Sequence, residues 1–259
     1  MSVVISGTGL YTPSESISND ELVACFNSYV DKFNRENEQA IAQGEVTALS
    51  YSSSAFIEKA SGIKSRYVMS KSDILNVDLM RPTFEERANN ELSLQAEIGV
   101  AAAKQAMEAA NKKPEDIDLV IVACAYTQRS YPAMAIEIQQ ALGCGGWGFD
   151  MLVACSAATF GIINAANAIR SGTAKTVLVI NPEILSPQVN YRDRDSHFIF
   201  GDVATASIIE DESTATGEHV FKIIAEQPIT QFSNNIRSNI GYMNQCSPET
   251  EHADDKYFI

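Results

Sequence analysis

Short apolar runs alternate with longer segments whose apolar or small residues recur at helical spacing. The apolar, β-branched runs predict strands at residues 3–10, 117–125, 149–154, 176–182, 203–210 and 219–227. Helical spacing predicts helices at residues 19–34, 92–110, 133–142 and 155–172. Because the strands are nearly all apolar, they should be covered on both faces. The pattern therefore predicts an α/β fold, with a mixed, mainly parallel sheet, helices on both faces, and a hairpin formed by the last two strands.

Two polar stretches interrupt this alternation. Residues 34–55 contain Gly44 and a serine run, and residues 69–91 carry mixed charges and an Arg-Pro pair. Neither stretch is biased enough in composition to predict disorder. We interpret both as surface insertions within one domain.

Charge and composition narrow the possible functions. The 259 residues are 45% apolar, enough for a large core, and carry a net charge of −14. A general binder of nucleic acid or of anionic membranes needs a cationic face, so neither partner is expected. The start of the chain lacks the pattern of a secretory signal, and no apolar run is as long as a membrane span, so we expect a cytoplasmic protein.

Five cysteines are scattered along the chain without a C-x-x-C pair: Cys25, Cys124, Cys144, Cys155 and Cys246. This spacing predicts neither a disulfide framework nor a structural zinc site, and we expect no bound metal. Gly7 and Gly9 follow a strand, but position 12 is threonine where a dinucleotide-binding loop needs a third glycine.

Cys155 is the strongest candidate for chemistry. It lies between a short apolar strand and a helix rich in alanine, serine and threonine. Unpaired N–H groups and the dipole at a helix start favour a thiolate, which makes the cysteine a better nucleophile. The competing interpretation is a buried cysteine selected for its small size.

Several segments together resemble the β-ketoacyl-acyl-carrier-protein synthase III family of the thiolase superfamily. They are ISGTGLYTP at the start, SGIKSRYV, DIDLVIVACA with the following Pro132, FDMLVACSAATFGI around Cys155, and HFIFGDVATASII. The segment QRSYPAMAIEIQQALG is most similar to the subgroup of β-ketodecanoyl or initiating synthases. The resemblance implies the N-terminal half of the thiolase fold over residues 1–231, with residues 232–259 as a connector toward a second half.

The resemblance also implies a reaction of fatty-acid biosynthesis. In the family, the cysteine that matches Cys155 takes an acyl group from acyl-CoA as a thioester. Malonyl-carrier-protein then loses CO2, and its carbanion attacks that thioester in a decarboxylating Claisen condensation. The implied partners are a CoA thioester and acyl-carrier protein, with no further cofactor. A homodimer is expected, formed through the strand near 117–125 or a neighbouring strand.

Four more positions match family residues. Phe56 matches the aromatic that stacks on the CoA adenine, and Arg194 matches an arginine on the other side of that adenine. Tyr131 matches the aromatic that closes the partner's acyl pocket across the dimer, and Phe200 matches one beside the nucleophile. The competing roles are a hydrophobic anchor for Phe56, an exposed ion pair for Arg194, and core packing for Tyr131 and Phe200. Ala60 stands where the family has a basic residue, which leaves the acyl donor open.

The family's catalytic histidine and asparagine lie in HQAN-like and GNT-like motifs, and neither motif occurs in these 259 residues. His197 matches no catalytic position of the family, and we interpret it as structural. The chain then resembles a truncated or proteolysed protein or one half of a split gene. One alternative is a non-catalytic half that serves as a dimerisation and acyl-binding partner. Another is a related enzyme: a thiolase, a hydroxymethylglutaryl-CoA synthase or a ketosynthase of specialised metabolism.

Overall fold

The computed structural model describes residues 2–235 and 237–238. Strands in this part of the chain are β1 (Val3–Tyr11), β2 (Glu15–Ser18), β3 (Ser65–Val68), β4 (Leu119–Cys124), β5 (Trp147–Leu152), β6 (Thr176–Ile184), β7 (Asp202–Asp211) and β8 (Phe221–Lys222). Its α-helices are α1 (Asn19–Glu36), α2 (Glu38–Ala42), α3 (Ser54–Ser61), α4 (Lys71–Ile74), α5 (Leu94–Ala109), α6 (Met134–Leu142) and α7 (Ala157–Arg170). None of these helices is both long and apolar enough to cross a membrane.

The chain divides into two compact units. The first comprises Met1–Thr12, Glu86–Ile184 and Val203–Thr230, and the second comprises Pro13–Glu85 and Leu185–Asp202 together with the tail that starts at Gln231. Both predicted insertions, 34–55 and 69–91, contribute residues to the second unit. The predicted boundary between 1–231 and 232–259 stays a prediction, since most of the connector lies outside the described residues.

The first unit is built on a six-stranded sheet of order β5-β4-β6-β7-β1-β8. β4 pairs in parallel with β5 on one side and β6 on the other, whereas β1 pairs antiparallel with β7 and β8. All six residues of β4 are buried, as its uninterrupted apolar run predicts. The mixed sheet predicted from the sequence is therefore confirmed.

Helices cover both faces of this sheet. Adjacent residues of a strand point to opposite faces, so Val179 and Ile180 of β6 report on different sides. A Cβ placed on Gly161 of α7 would lie 2.8 Å from Val179 Cγ1, and one on Gly99 of α5 would lie 3.3 Å from Ile180 Cγ2. Helix α7 therefore packs on one face and α5 on the other, and glycine permits the close approach in each helix.

Gly7 and Gly9 lie inside β1, where they bring α5 against the sheet. A Cβ on Gly7 would lie 2.3 Å from the Ala106 carbonyl oxygen, and one on Gly9 would lie 2.0 Å from that of Ala102. Both distances are too short for any side chain. These glycines therefore serve helix packing, in agreement with the exclusion of a dinucleotide-binding loop.

The predicted hairpin of 203–210 with 219–227 is wrong. The second strand covers only Phe221–Lys222, and it pairs with β1 instead of β7. After β7 the chain passes over β1 at Gly217, where a Cβ would lie 2.2 Å from the Ser6 carbonyl oxygen. This crossing places the chain at the open edge of β1, where the Ile223 N–H donates to the Val3 carbonyl at 3.0 Å.

A buried ion pair lies beside this crossing. Glu210 of β7 is fully buried, and its carboxylate lies 2.7 Å from Lys112 Nζ. The same carboxylate accepts hydrogen bonds from the hydroxyls of Ser6 at 2.6 Å and Thr214 at 2.9 Å. The charge of Glu210 is thus stabilised by a lysine and two donors, as a buried carboxylate requires.

The second unit has its own small sheet and core. β2 and β3 pair antiparallel, and α1 begins with a capping box in which the Ser18 N–H donates to Glu21 Oε2 at 2.9 Å. Asp202 is buried and accepts hydrogen bonds from the N–H groups of Ser186 and Met69, both at 2.9 Å. Burial raises the pKa of Asp202, and these hydrogen bonds oppose the shift. Asp202 therefore ties two distant segments of the unit together.

We expect Lys112→Met to lower the free energy of unfolding by about 3 to 5 kcal/mol, because it leaves the Glu210 carboxylate buried without its cation. The neighbouring Lys113 is exposed, so Lys113→Met should change stability by no more than about 0.5 kcal/mol. Urea unfolding followed by circular dichroism measures both variants. Equal effects of the two substitutions would contradict the importance of the buried pair.

Candidate active site

Cys155 lies where parallel strands of the first unit end. Leu119 at the start of β4 is aligned with Trp147 of β5 and with Val177 of β6, and Cys124 at the end of β4 is aligned with Leu152. The carboxyl ends of parallel strands meet at one edge of a sheet, which is a common position for active sites in α/β folds. Cys155 follows β5 by three residues and precedes α7, as the sequence predicts.

The turn that carries Cys155 has an unusual backbone. Ala154 has a φ of +45°, a left-handed conformation that costs free energy for a residue with a side chain. The Val153 N–H donates to the Cys124 carbonyl at 3.3 Å, and the Ser156 N–H donates to the Val153 carbonyl at 3.1 Å. The turn is therefore fixed to the end of β4 immediately before the strained residue, and the thiol of Cys155 follows it.

Cys155 is exposed, which contradicts the interpretation of a cysteine buried for its small size. Ser156 precedes α7 without a side-chain hydrogen bond to the helix, so its side chain does not occupy the N–H groups of the first turn. The 14 residues of α7 add a dipole whose positive end faces this turn. An accessible sulfur at such a helix start can attack an electrophilic carbon and receive stabilisation as an anion.

The other described cysteines are less suited to nucleophilic attack. Burial raises the pKa of Cys25 and of Cys144 to about 11. Burial also raises the pKa of Cys124, with smaller contributions from the nearby carboxyls of Glu183 and Asp150. Cys246 lies outside the described residues. No group of His, Cys, Asp or Glu side chains within the described ranges could hold a metal ion.

Buried polar groups that the strand pattern did not identify surround the end of β4. Glu183 of β6 accepts the Ala125 N–H at 2.8 Å, and its other oxygen, Oε2, is buried. Gln95 of α5 donates to the carbonyls of Tyr126 at 2.8 Å and Pro182 at 2.9 Å. A glutamate at the end of the apolar run TVLVINPEI was the available signal, because an acidic residue in a buried strand needs a partner.

Tyr131 is exposed beside the edge strand. Its side chain is 82% accessible, and it precedes the cis bond to Pro132. Asp150 of β5 caps the adjacent α6 by accepting the N–H groups of Met134 at 2.7 Å and Ala135 at 2.8 Å. The exposure excludes core packing within the described chain, and the role of Tyr131 across a dimer stays a prediction.

Phe56 and Arg194 contact each other directly in the second unit. The Arg194 guanidinium carbon lies 4.1 Å from the centre of the Phe56 ring, and Arg194 Nε donates to the Tyr51 carbonyl at 2.8 Å. A weak ion pair with Asp195 at 3.2 Å completes the contacts of the guanidinium. The structure thus brings these two predicted residues together as a cation–π stack.

Phe200 and His197 belong to the packing of the second unit. Phe200 is partly buried against its core, so its predicted position beside the nucleophile stays a prediction. His197 is fully buried and stacks on Phe26 at 4.7 Å. Its Nδ1 lies 2.9 Å from the Arg194 carbonyl, which requires a proton on Nδ1. Burial lowers the pKa of His197 to about 4, so the ring is neutral at physiological pH, in agreement with the structural role predicted.

Comparisons with known proteins agree with this architecture. Residues 149–226 match the family model of 3-oxoacyl-[acyl-carrier-protein] synthase III. The chain is 52% identical over 234 residues to a β-ketodecanoyl-[acyl-carrier-protein] synthase of Pseudomonas aeruginosa, which covers 90% of this chain and 67% of that protein. It is 30% identical over 215 residues to a β-ketoacyl-[acyl-carrier-protein] synthase III of Bartonella tribocorum, with 83% of this chain and 53% of that protein covered.

Solved structures show the same fold. The crystal structure of 3-oxoacyl-[acyl-carrier-protein] synthase III from Aquifex aeolicus matches with a TM-score of 0.61 and 28% identity, over 81% of this chain and 54% of that one. The priming β-ketosynthase of the R1128 polyketide pathway matches with a TM-score of 0.61 and 25% identity, over 82% and 51% of the two chains. The chain spans about half the length of these structures.

The identity to the Pseudomonas protein extends over most of both chains, and the residues around Cys155 lie within the matched family model. The resemblance found in the sequence motifs is thereby confirmed. This chain belongs to the β-ketoacyl-[acyl-carrier-protein] synthase III family.

Proposed function

We propose that Cys155 accepts an acyl group from acyl-CoA and passes it to a malonyl-carrier-protein in a decarboxylating Claisen condensation. The observation that carries this proposal is the exposed Cys155 on a strained turn at the start of α7. The family membership of the chain supports the reaction class, and the similarity to a β-ketodecanoyl synthase supports fatty-acid synthesis as its context.

In the first step the Cys155 thiolate attacks the carbonyl carbon of the acyl-CoA thioester. The new S–C bond gives a tetrahedral oxyanion, which collapses by breaking the bond to the CoA sulfur. CoA leaves as a thiolate and takes a proton from solvent, and the acyl group remains on Cys155. N–H groups at the start of α7 are suited to stabilise first the thiolate and then the oxyanion.

In the second step the malonyl-carrier-protein loses CO2, and the electron pair of the broken C–C bond becomes a carbanion. That carbanion attacks the acyl carbon on Cys155 and expels the Cys155 thiolate, which yields the β-ketoacyl product on the carrier. The HQAN-like and GNT-like motifs of the family are not in these 259 residues. We therefore expect this chain by itself to load acyl groups without releasing CO2.

Phe56 and Arg194 are suited to hold the adenine end of CoA. A planar base inserted between them needs about 7 Å, two layers of van der Waals contact, whereas the two groups now lie 4.1 Å apart. Adenine binding would therefore move Arg194 away from the ring and exchange one stack for two. Arg194 also offers a cation to phosphate groups, which a hydrophobic anchor alone would not.

The edge strand β5 is suited to join two copies of the chain. β4 is interior, flanked by β5 and β6, so its backbone has no free edge for another chain. Among the described strands β5 pairs only with β4, and it exposes Trp147 and Leu152. A homodimer formed along β5 would extend the sheet and place the exposed Tyr131 near the partner.

We expect incubation with acyl-CoA to raise the intact mass of the protein by one acyl group, and Cys155→Ala to abolish this gain. Cys144→Ala is the matched control, because it removes a partly buried thiol of raised pKa and should leave the gain unchanged. Intact mass spectrometry with short and medium acyl-CoA donors measures both variants. A gain that survives in Cys155→Ala would contradict the assignment.

We expect Arg194→Ala to raise the apparent KM for acyl-CoA about tenfold, because one stacking and phosphate-binding group is lost. Loading from an acyl-N-acetylcysteamine thioester, which has no adenine, should not change. Arg192→Ala is the control, since that guanidinium lies 5.5 Å over the Tyr29 ring and has no predicted contact with CoA. Equal losses with both thioesters would refute a role in adenine binding.

We expect Trp147→Glu to shift the protein from dimer to monomer, because a charge on the edge strand opposes strand pairing. Glu218→Lys, an exposed charge change away from β5, should leave assembly unchanged. Light scattering after size-exclusion chromatography measures the mass. A wild-type monomer, or a dimer that Trp147→Glu does not weaken, would exclude β5 as the interface.

A further inference from the structure

The peptide group between Cys124 and Ala125, called here the 124–125 peptide, links Glu183 to the turn that carries Cys155. Its N–H donates to Glu183 Oε1 at 2.8 Å. Its carbonyl accepts the Val153 N–H at 3.3 Å. Both hydrogen bonds therefore use the two ends of a single peptide dipole.

We propose that ionised Glu183 is a positioning residue that polarises the 124–125 peptide and thereby holds the Cys155 turn. A carboxylate at the N–H end draws that dipole into alignment, which makes the carbonyl at the other end a stronger acceptor for Val153. Successive hydrogen bonds strengthen one another in this way inside proteins. The inference rests on the proposed use of Cys155 as the nucleophile.

The location of the anchored atom makes the effect relevant to Cys155. Val153 immediately precedes Ala154, whose φ of +45° must be maintained by the surrounding structure. The Val153 bond is also the longer of the two, at 3.3 Å against 2.8 Å, so it is the one with more to gain from polarisation. Weakening it should let the turn relax and move Cys155 away from the start of α7.

The surroundings of Glu183 make its charge variable. Burial raises its pKa to about 7, and the hydrogen bond from Ala125 opposes this shift. Among the described residues Oε2 has no hydrogen-bond partner, so no second donor holds the carboxylate ionised. The titratable groups that act at this strand end are Cys124 of β4, whose pKa is raised by burial, and Asp150 of β5, whose pKa burial also raises.

The sign of the pH dependence follows. Above pH 7 Glu183 is ionised and the anchor is strong. Below pH 7 it is protonated and accepts the Ala125 N–H only as a neutral carbonyl, which is about half as strong as a charged acceptor. The wild-type protein at low pH should then behave like Glu183→Gln, which has the same shape and never carries the charge.

The test compares wild type with Glu183→Gln by alkylation of Cys155 with iodoacetamide, a reaction that needs no acyl-CoA. At pH 8 we expect about a fivefold slower modification of the Cys155 peptide in the variant, and at pH 6 a ratio near one. Hydrogen exchange at the Val153 amide should be faster in the variant at pH 8. Glu97→Gln, which removes a surface charge paired with Arg87, is the matched control and should match wild type.

Each outcome decides the proposal. A ratio that stays constant with pH, or unchanged exchange at Val153, would show that only the shape of Glu183 matters and would overturn it. Faster alkylation in Glu183→Gln would overturn it as well, since a direct repulsion between carboxylate and thiolate would then dominate. If Glu183→Gln melts at a lower temperature than wild type, Glu183→Asp supplies a charged comparison, and recovery of the pH-dependent ratio in it supports the proposal. Failure of acyl-CoA to load wild-type Cys155 would refute the proposed function without affecting these measurements.

Discussion

The parallel pairing of β4 with β5 and β6 is the constraint on which the first unit depends. It brings three strand ends to one edge of the sheet, so that peptide groups distant in sequence lie within hydrogen-bond reach. Val153 and Ala125 meet at the end of β4 for this reason, and Cys155 takes its place from them. A change of register by one residue would turn every side chain of β4 to the other face and remove this arrangement.

Buried carboxylates are stabilised in three different ways. Glu210 has a lysine partner and two hydroxyl donors, so its charge is fully compensated. Asp202 has no cation in its environment of backbone N–H donors, and these donors offset part of its burial. Glu183 has one donor only, and it is the least stabilised of the three. The first two fit a structural role, whereas a carboxylate left near balance can respond to its surroundings.

The alternation of strands and helices and the position of Cys155 could be predicted from the sequence, because both depend on local patterns. The hairpin could not, since the open edge of β1 that receives Phe221 lies more than 200 residues away in the chain. Glu183 was missed for a similar reason, because its partner Ala125 is 58 positions distant. Phe56 and Arg194 were identified through the family resemblance, but their direct contact depends on side-chain conformations that no motif specifies.

Trp147 is the single tryptophan of the chain, and it lies on the edge strand β5 with about half of its side chain accessible. It stacks on Phe149 of the same strand at 5.7 Å, which fixes the indole at the edge of the sheet. Indole emission moves to shorter wavelength when water is removed from the ring. The intrinsic fluorescence of this protein is therefore a built-in optical reporter of whether that edge is covered, and it requires no label.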